Sequence, residues 1–419
     1  MSDTLRARRE RAAAAWALRE ELVLIGAGSP IPVPGGADQT YPFLAHAEYV
    51  WLAGHEVPDA VLAFDPREGW TDFVPPVTAA ERVWEGREDA PGTPLPELAG
   101  WLAARRGRSV VALGSPIAGL AGDGAHAARL REQLLHARRP KDAEELDRLR
   151  RACAATAHGF RALVQALKSG VSERELQVEL ETGFRRGGAD RTGYGTIVGV
   201  GSNAAVLHFT PGDRRTRPGD VVLVDAGAEV ERYTADVTRT YRLPGGDDGF
   251  FRSLHALVLG VERSAISRCR AGAEWRDLHL EAAREIAEGL VSLGILVGAP
   301  ESLVERDTHA LFFPHGLGHM VGLGVRDASG FLPGRARSTR PGLSMLRTDL
   351  PLEPGYVMTV EPGVYFIPAL LQDAAQRERH RDAVRWDRVD ALMEFGGVRI
   401  EDDVLITEGE PEVLTAAIP

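Results

Sequence analysis

Asp225 and Asp236 fall in the stretch VVLVDAGAEVERYTADVTRT. Side chains alternate along a strand, so Val221, Leu223 and Asp225 share one face, as do Thr234, Asp236 and Thr238 on the next strand. A hairpin turning at Val230–Glu231 sets the two aspartates directly opposite each other, about 5 Å apart. Carboxylates that close repel, and one takes up a proton unless a cation lies between them. The turn carries no Asn-Gly or Gly-X pair to pin that register, and alone the pair reads more simply as two solvated acids.

More candidates lie downstream. Glu361 ends the run YVMTVE and is stopped by Pro362-Gly363; Glu401 lies in GGVRIEDD, where Arg399 and Glu401 alternate with Val398 and Ile400. An acid in a β-branched run is costly unless it is paired or binds a metal, although either glutamate alone reads equally as an edge-strand surface residue. His315 and His319 occur in FFPHGLGHMVGLG. Their spacing suggests the HExxH zinc helix, but Pro314 and the glycines forbid a stable helix and the Glu is missing. Singly, these histidines and His208 in NAAVLHFTPGD read as ordinary hydrogen bonders.

The elements that must position these groups are legible from periodicity. Residues 20 to 135 mix short apolar runs (ELVLIGAG, VLAFDP, VVALG) with polar helical stretches, punctuated by Gly and Pro. This is an α/β domain without a chemical constellation. Pro140 in HARRPKDAEELDRLR marks a linker, after which Leu146, Leu149, Ala152 and Cys153 open a long helix. From Thr196 the pattern is β, interrupted by helices near Phe250–Arg268 and Trp275–Leu293, which predicts an α+β domain. The expected domains are 1–140 and 141–419. GVGSNA at Gly199–Ala204 reads as a turn, because no βαβ unit follows it.

The chain has 419 residues, 44% hydrophobic and 26% charged, with a net charge of −11. That charge argues against a nucleic-acid partner and leaves room for carboxylates that bind cations. The Arg-rich stretch Arg377–Arg388 is interleaved with aspartates and reads as a solvated helical insert. Cys153 and Cys269 form no disulfide framework, which points to a reducing, cytoplasmic setting. The basic start is cut by Arg19 and two glutamates and reads as an amphipathic helix, not a leader; no apolar run is long enough to span a membrane.

Taken together, the blocks NAAVLHF, GDVVLVDAGAE, DVTRTY, FPHGLGH, LEPGYVMTVEPGVYF and GGVRIEDDVLIT resemble, in order, the aminopeptidase P and prolidase branch of the pita-bread metallopeptidases. The resemblance implies an N-terminal α/β (creatinase-like) domain and an α+β pita-bread catalytic domain. It implies Asp225, Asp236, His319, Glu361 and Glu401 as ligands of two divalent metal ions, with Asp236 and Glu401 bridging. Oxygen-rich ligation with one imidazole favours Mn2+, with Co2+, Zn2+ or Fe2+ as alternatives. The activity implied is hydrolysis of the Xaa-Pro peptide bond by a metal-bridging hydroxide, with Glu361 shuttling the proton. His208 and His315 would polarise the carbonyl, and Arg399 would orient the bridging acids. A homodimer is also implied.

Two features resemble prolidases in particular. A long insert (Ile367–Phe395) separates the last two glutamates, and SMLRTDLPLEPG is similar to the segment whose arginine grips a dipeptide's terminal carboxylate, which assigns that role to Arg347. Tyr194 matches a tyrosine lining the same pocket. The expected substrate is therefore an Xaa-Pro dipeptide; the alternatives are an Xaa-Pro aminopeptidase acting on longer peptides and, more remotely, a metal-free binding module. One departure stands out: the family's usual VHD is VRD here, with Arg326. A permanent cation there needs an anion, either a substrate carboxylate or a neighbour such as Asp327.

Overall fold

The structure is a computed structural model that describes residues 1–120 and 124–419. The chain divides into two compact units, Met1–Arg138 and Arg139–Pro419. In the first, the helix Asp3–Trp16 buries Arg8, Ala12 and Trp16, and of its four arginines only Arg6 is exposed; Arg8 and Arg11 lie against the Trp51 ring and Arg9 against Trp70. A five-stranded sheet follows, built from β1 (Leu22–Gly26), β2 (Val61–Asp65), β3 (Gly69–Val74), β4 (Thr93–Pro94) and β5 (Val110–Gly114) in the order β4-β3-β2-β1-β5. The apolar runs legible in the sequence are β1, β2 and β5, and β1 and β2 are buried throughout.

The second unit opens with the helix Ala143–Ala166. Asp142 caps it and Glu145 closes a capping box, so two backbone donors at the helix start are satisfied reciprocally. Its apolar stripe, with Phe160 and Leu163, packs with Leu176, Leu180 and Phe184 of the helix Glu173–Arg186 on Val198, Val222, Val224 and Val237. These helices, which precede the short strand β6 (Arg191–Thr192), cover one face of a sheet formed by β7 (Ile197–Val200), β8 (Val221–Asp225) and β11 (Thr238–Arg242). The alternate residues of β8, Leu223 and Asp225, point to the opposite face, where Leu223 packs with Ile197 and Tyr365. The site lies on that second face.

The hairpin register differs from the sequence expectation. Strands β9 (Ala228–Val230) and β10 (Tyr233–Thr234) pair Val230 with Tyr233, so the turn is Glu231–Arg232, one residue later than expected. Consequently Asp225 faces Thr238 and not Asp236. Moving the turn by one residue slides the pairing by two, which keeps every side chain on its original face. Asp236 thus stays beside Asp225 but on the diagonal, opposite Gly227. A Cβ at Gly227 would lie 1.6 Å from the Ala235 carbonyl oxygen, so only glycine permits this approach. Glu231 and Arg232 take φ of 47° and 74°, a costly state for non-glycine residues. Tertiary contacts hold them there: the Glu231 amide donates to Asp190, and its carboxylate pairs with Arg148 and Arg151 at 2.9 Å.

A second hairpin supplies the glutamates. β12 (Val357–Val360) pairs with β15 (Asp402–Leu405), and β13 (Gly363–Tyr365) pairs with β14 (Gly397–Arg399). Val360 faces Asp402 and Gly363 faces Arg399 in one continuous register, so Glu361 and Glu401 are opposed between the two ladders. The insert between β13 and β14 folds into short helices at Pro368–Leu371, Ala374–Arg379 and Trp386–Asp390. Because β13 and β14 pair with each other, the insert leaves the glutamates aligned. A bridge between Thr238 and Glu401 joins the two hairpins. Among the described residues no helix is long and apolar enough to cross a membrane.

Candidate metal centre and substrate cavity

A cavity of about 530 Å³ opens on the shared face of the hairpins. All eleven residues singled out from the sequence line it: Tyr194, His208, Asp225, Asp236, His315, His319, Arg326, Arg347, Glu361, Arg399 and Glu401. At its floor, ligand atoms of Asp236, His319 and Glu401 lie within 4.8 Å of one another. The Tyr194 hydroxyl meets Asp225 at 2.7 Å and Asp236 at 2.5 Å.

His319 supplies the sharpest indication of what belongs there. Its amide donates to Thr359 Oγ1 at 3.0 Å, and its Nδ1 lies 3.0 Å from the Met320 carbonyl. A carbonyl only accepts, so Nδ1 carries the proton and Nε2 of the neutral ring presents a lone pair. That lone pair faces Asp236 Oδ2 at 3.5 Å and Glu361 Oε1 at 3.9 Å. Burial lowers the His319 pKa to about 4, so the ring stays neutral and its lone pair needs either a cation or a proton held by the facing acids. A cation between them satisfies all three, and a second nitrogen donating to a backbone carbonyl is the usual arrangement of a metal-ligating histidine.

Arg399 is buried under the carboxylates. It pairs with Asp225, donates to Thr238 Oγ1 at 2.9 Å and donates to Tyr365 Oη at 2.9 Å. Thr238 in turn donates to Glu401 at 2.7 Å. The sequence expectation that Arg399 orients the bridging acids directly needs correction: it holds Asp225, and it reaches Glu401 only through Thr238, its own nitrogen remaining 4.0 Å away. His315 donates from Nδ1 to the Gly316 carbonyl, and its Nε2 meets the Tyr365 hydroxyl, both at 2.8 Å. His208 stands exposed at the cavity wall.

Thr238, Thr359, Tyr365 and Asp403, which accepts from the Asp236 amide at 3.0 Å, escape sequence reasoning. Each reads as an ordinary strand residue. The available signal was that Asp403 and Glu401, two residues apart, straddle the start of β15.

At the mouth, Arg326 is exposed and Arg347 half-buried, and among the described residues neither forms a hydrogen bond or ion pair with a protein group. Asp327 is not Arg326's partner. It is buried and accepts from Lys141 at 2.8 Å and from the Leu323 amide at 3.0 Å, which holds the loop that presents Arg326.

The crowded acids set a pH dependence. Burial, with repulsion from Asp225, raises Glu361 to about 7; burial first, then neighbouring carboxylates, raises Asp236 and Glu401 well above the ordinary range. A folded pKa above the unfolded one gives stability that is full below about pH 4 and lost as pH rises through the folded value. Without cations the protein is therefore expected to lose stability from pH 5 towards 8. Each cation bound at a hundred times its Kd adds about 2.7 kcal/mol. Chelation should lower Tm by about 5 °C or more at pH 8 and much less at pH 5, where protons already neutralise the site. Equal shifts at both pH values would show that the acids hold no cation.

Residues 147–408 match metallopeptidase family M24, and residues 5–92 match the aminopeptidase P N-terminal domain. The chain belongs to metallopeptidase family M24, with an aminopeptidase P-type N-terminal domain followed in the sequence by a pita-bread catalytic domain. It is 33% identical over 427 residues to an Xaa-Pro dipeptidase of Xanthomonas euvesicatoria pv. vesicatoria, a match covering 95% of this chain and 94% of that one. To an Xaa-Pro dipeptidase of Stenotrophomonas maltophilia it is 38% identical over 280 residues, 65% of this chain and 62% of the relative's length. The structure of Pseudomonas aeruginosa aminopeptidase PepP matches with a TM-score of 0.80 at 27% identity, over 99% of this chain and 95% of that one.

Proposed function

We propose that this protein is an Xaa-Pro dipeptidase dependent on two divalent ions held by Asp225, Asp236, His319, Glu361 and Glu401. The donor set fits: four carboxylates balance two dications, and the lone imidazole presents a lone pair to them. Oxygen-rich ligation favours Mn2+. When bound, such ions polarise the peptide carbonyl and make water a ready nucleophile at neutral pH.

The protein's own groups supply the rest. Glu361, poised near pH 7 by burial, takes a proton from the attacking water and delivers it to the departing proline nitrogen. His208 and His315 flank the carbonyl, and His315 is held neutral by burial, its pKa lowered to about 3. Tyr194 and Arg399 keep Asp225 and Asp236 in place, so the acids need not reorganise during reaction.

The observation that carries dipeptide specificity is the pair of unpartnered guanidiniums, Arg347 and Arg326, in the wall of the reaction cavity. A site built to pair a terminal carboxylate rejects longer peptides, because these leave the cation unmatched. The likeness to aminopeptidase P structures favours a second reading, cleavage of longer Xaa-Pro peptides. The discriminating measurement is kcat/KM for Ala-Pro against Ala-Pro-Ala with metal-loaded protein. The dipeptide should be preferred by about tenfold or more, and a preference for the tripeptide establishes the second reading.

A further inference from the structure

Two segments bring the reaction centre and the carboxylate-binding arginine together: the loop of His315 and His319, and the arm that runs from Pro341 to Arg347. One buried side chain ties them. His279, 1% exposed on the helix Trp275–Ser292, accepts from the Leu317 amide at Nδ1 (3.2 Å) and meets the Gly342 carbonyl with Nε2 (2.7 Å). An amide only donates and a carbonyl only accepts, so the ring is the neutral tautomer protonated on Nε2. Burial favours that neutral form as well.

The surroundings leave little play. Leu317 lies between the two histidines, and Gly342 lies in the short helix Pro341–Ser344 that leads into Met345 and Arg347. The His279 ring is 5.5 Å from Phe313, which meets His315 edge-on at 4.9 Å. A Cβ on Gly316 would stand 3.4 Å from Leu346 Cα, so the loop and the arm also touch directly.

We infer that His279 is a positioning residue that fixes the spacing between the histidine loop and Arg347, and so helps set the peptide length the cavity accepts. The inference rests on the dipeptidase reading for its consequence, while the coupling itself is physical and testable without it. A displacement of about 1 Å in such a frame costs up to about a hundredfold in rate.

Three variants separate the two bonds. His279→Leu should keep its metal, lower kcat about tenfold for Ala-Pro and Ala-Pro-Ala alike, and raise KM about tenfold for Ala-Pro only. His279→Asn keeps an acceptor for Leu317 and should restore kcat but not KM. His279→Gln reaches Gly342 and should restore KM but not kcat. In hydrogen exchange, His279→Leu should accelerate residues 315–319 and 341–347 together.

The inference is overturned if kcat and KM move in parallel for both peptides in all variants, or if exchange quickens in one segment alone. Should His279→Leu fail to fold, the Asn and Gln pair decides the matter. If metal-loaded wild type cleaves neither peptide, the dipeptidase reading fails while the exchange experiment still tests the coupling.

Discussion

Replacing Asp236 by Asn is expected to lower kcat/KM for Ala-Pro by at least about a thousandfold and to strip most of the bound metal. Asp236 is the acid at which the contacts converge. Its carboxylate meets the Tyr194 hydroxyl at 2.5 Å and faces His319 Nε2 at 3.5 Å, and its amide donates to Asp403. Asn keeps the shape and removes the charge, so the fold should survive. Removing one of several mutually repelling buried carboxylates should also leave the chelated variant at least as stable as chelated wild type at pH 8. Metal content by elemental analysis, Tm and Ala-Pro hydrolysis check this together. Wild-type activity in the variant would remove Asp236 from the centre.

Arg347→Ala is expected to reduce kcat/KM for Ala-Pro by about ten- to a hundredfold, the worth of a charge-assisted hydrogen bond of about 1.5–3 kcal/mol. Ala-Pro-Ala offers no carboxylate at that position and should lose much less. Arg326→His replaces a fixed cation by a ring that can be neutral, and it should shift the ratio towards the tripeptide. Both arginines are unpartnered in the cavity wall, so neither variant leaves a buried carboxylate orphaned and a loss of stability should not confuse the reading. A dipeptide-to-tripeptide ratio unchanged in both variants would remove the clamp and favour the aminopeptidase reading.

How far the sequence alone reaches depends on what holds each feature in place. The helices expected at Phe250–Arg268 and Trp275–Leu293 fold as Gly249–Arg268 and Trp275–Ser292, because a local apolar period decides them. Period-two alternation likewise puts Asp225 and Asp236 on one face. Their register is not local. Glu231 and Arg232 hold positive φ in a turn anchored from distant parts of the chain, by Asp190, Arg148 and Arg151 on Glu231 and by the Gly324 amide on the Arg232 carbonyl, and no turn chemistry in the sequence announces this. The partner of Asp327 is hidden for the same reason: Lys141 lies far away along the chain, and nearby Arg326 is the obvious local choice. Tyr365 reads as an apolar strand residue, yet its hydroxyl links Arg399 to His315. The acids and histidines that stand on strand ends and Gly-rich loops were legible; the hydroxyls and backbone groups that orient them were not.

The most direct test of the central claim is a titration of metal-stripped protein with Mn2+ while Ala-Pro hydrolysis is followed. Activity should be absent at the start, rise with added metal, and level off at about two equivalents per chain, as dications balanced by four carboxylates require. Full hydrolysis by the stripped protein, or none at saturating metal, would contradict the account.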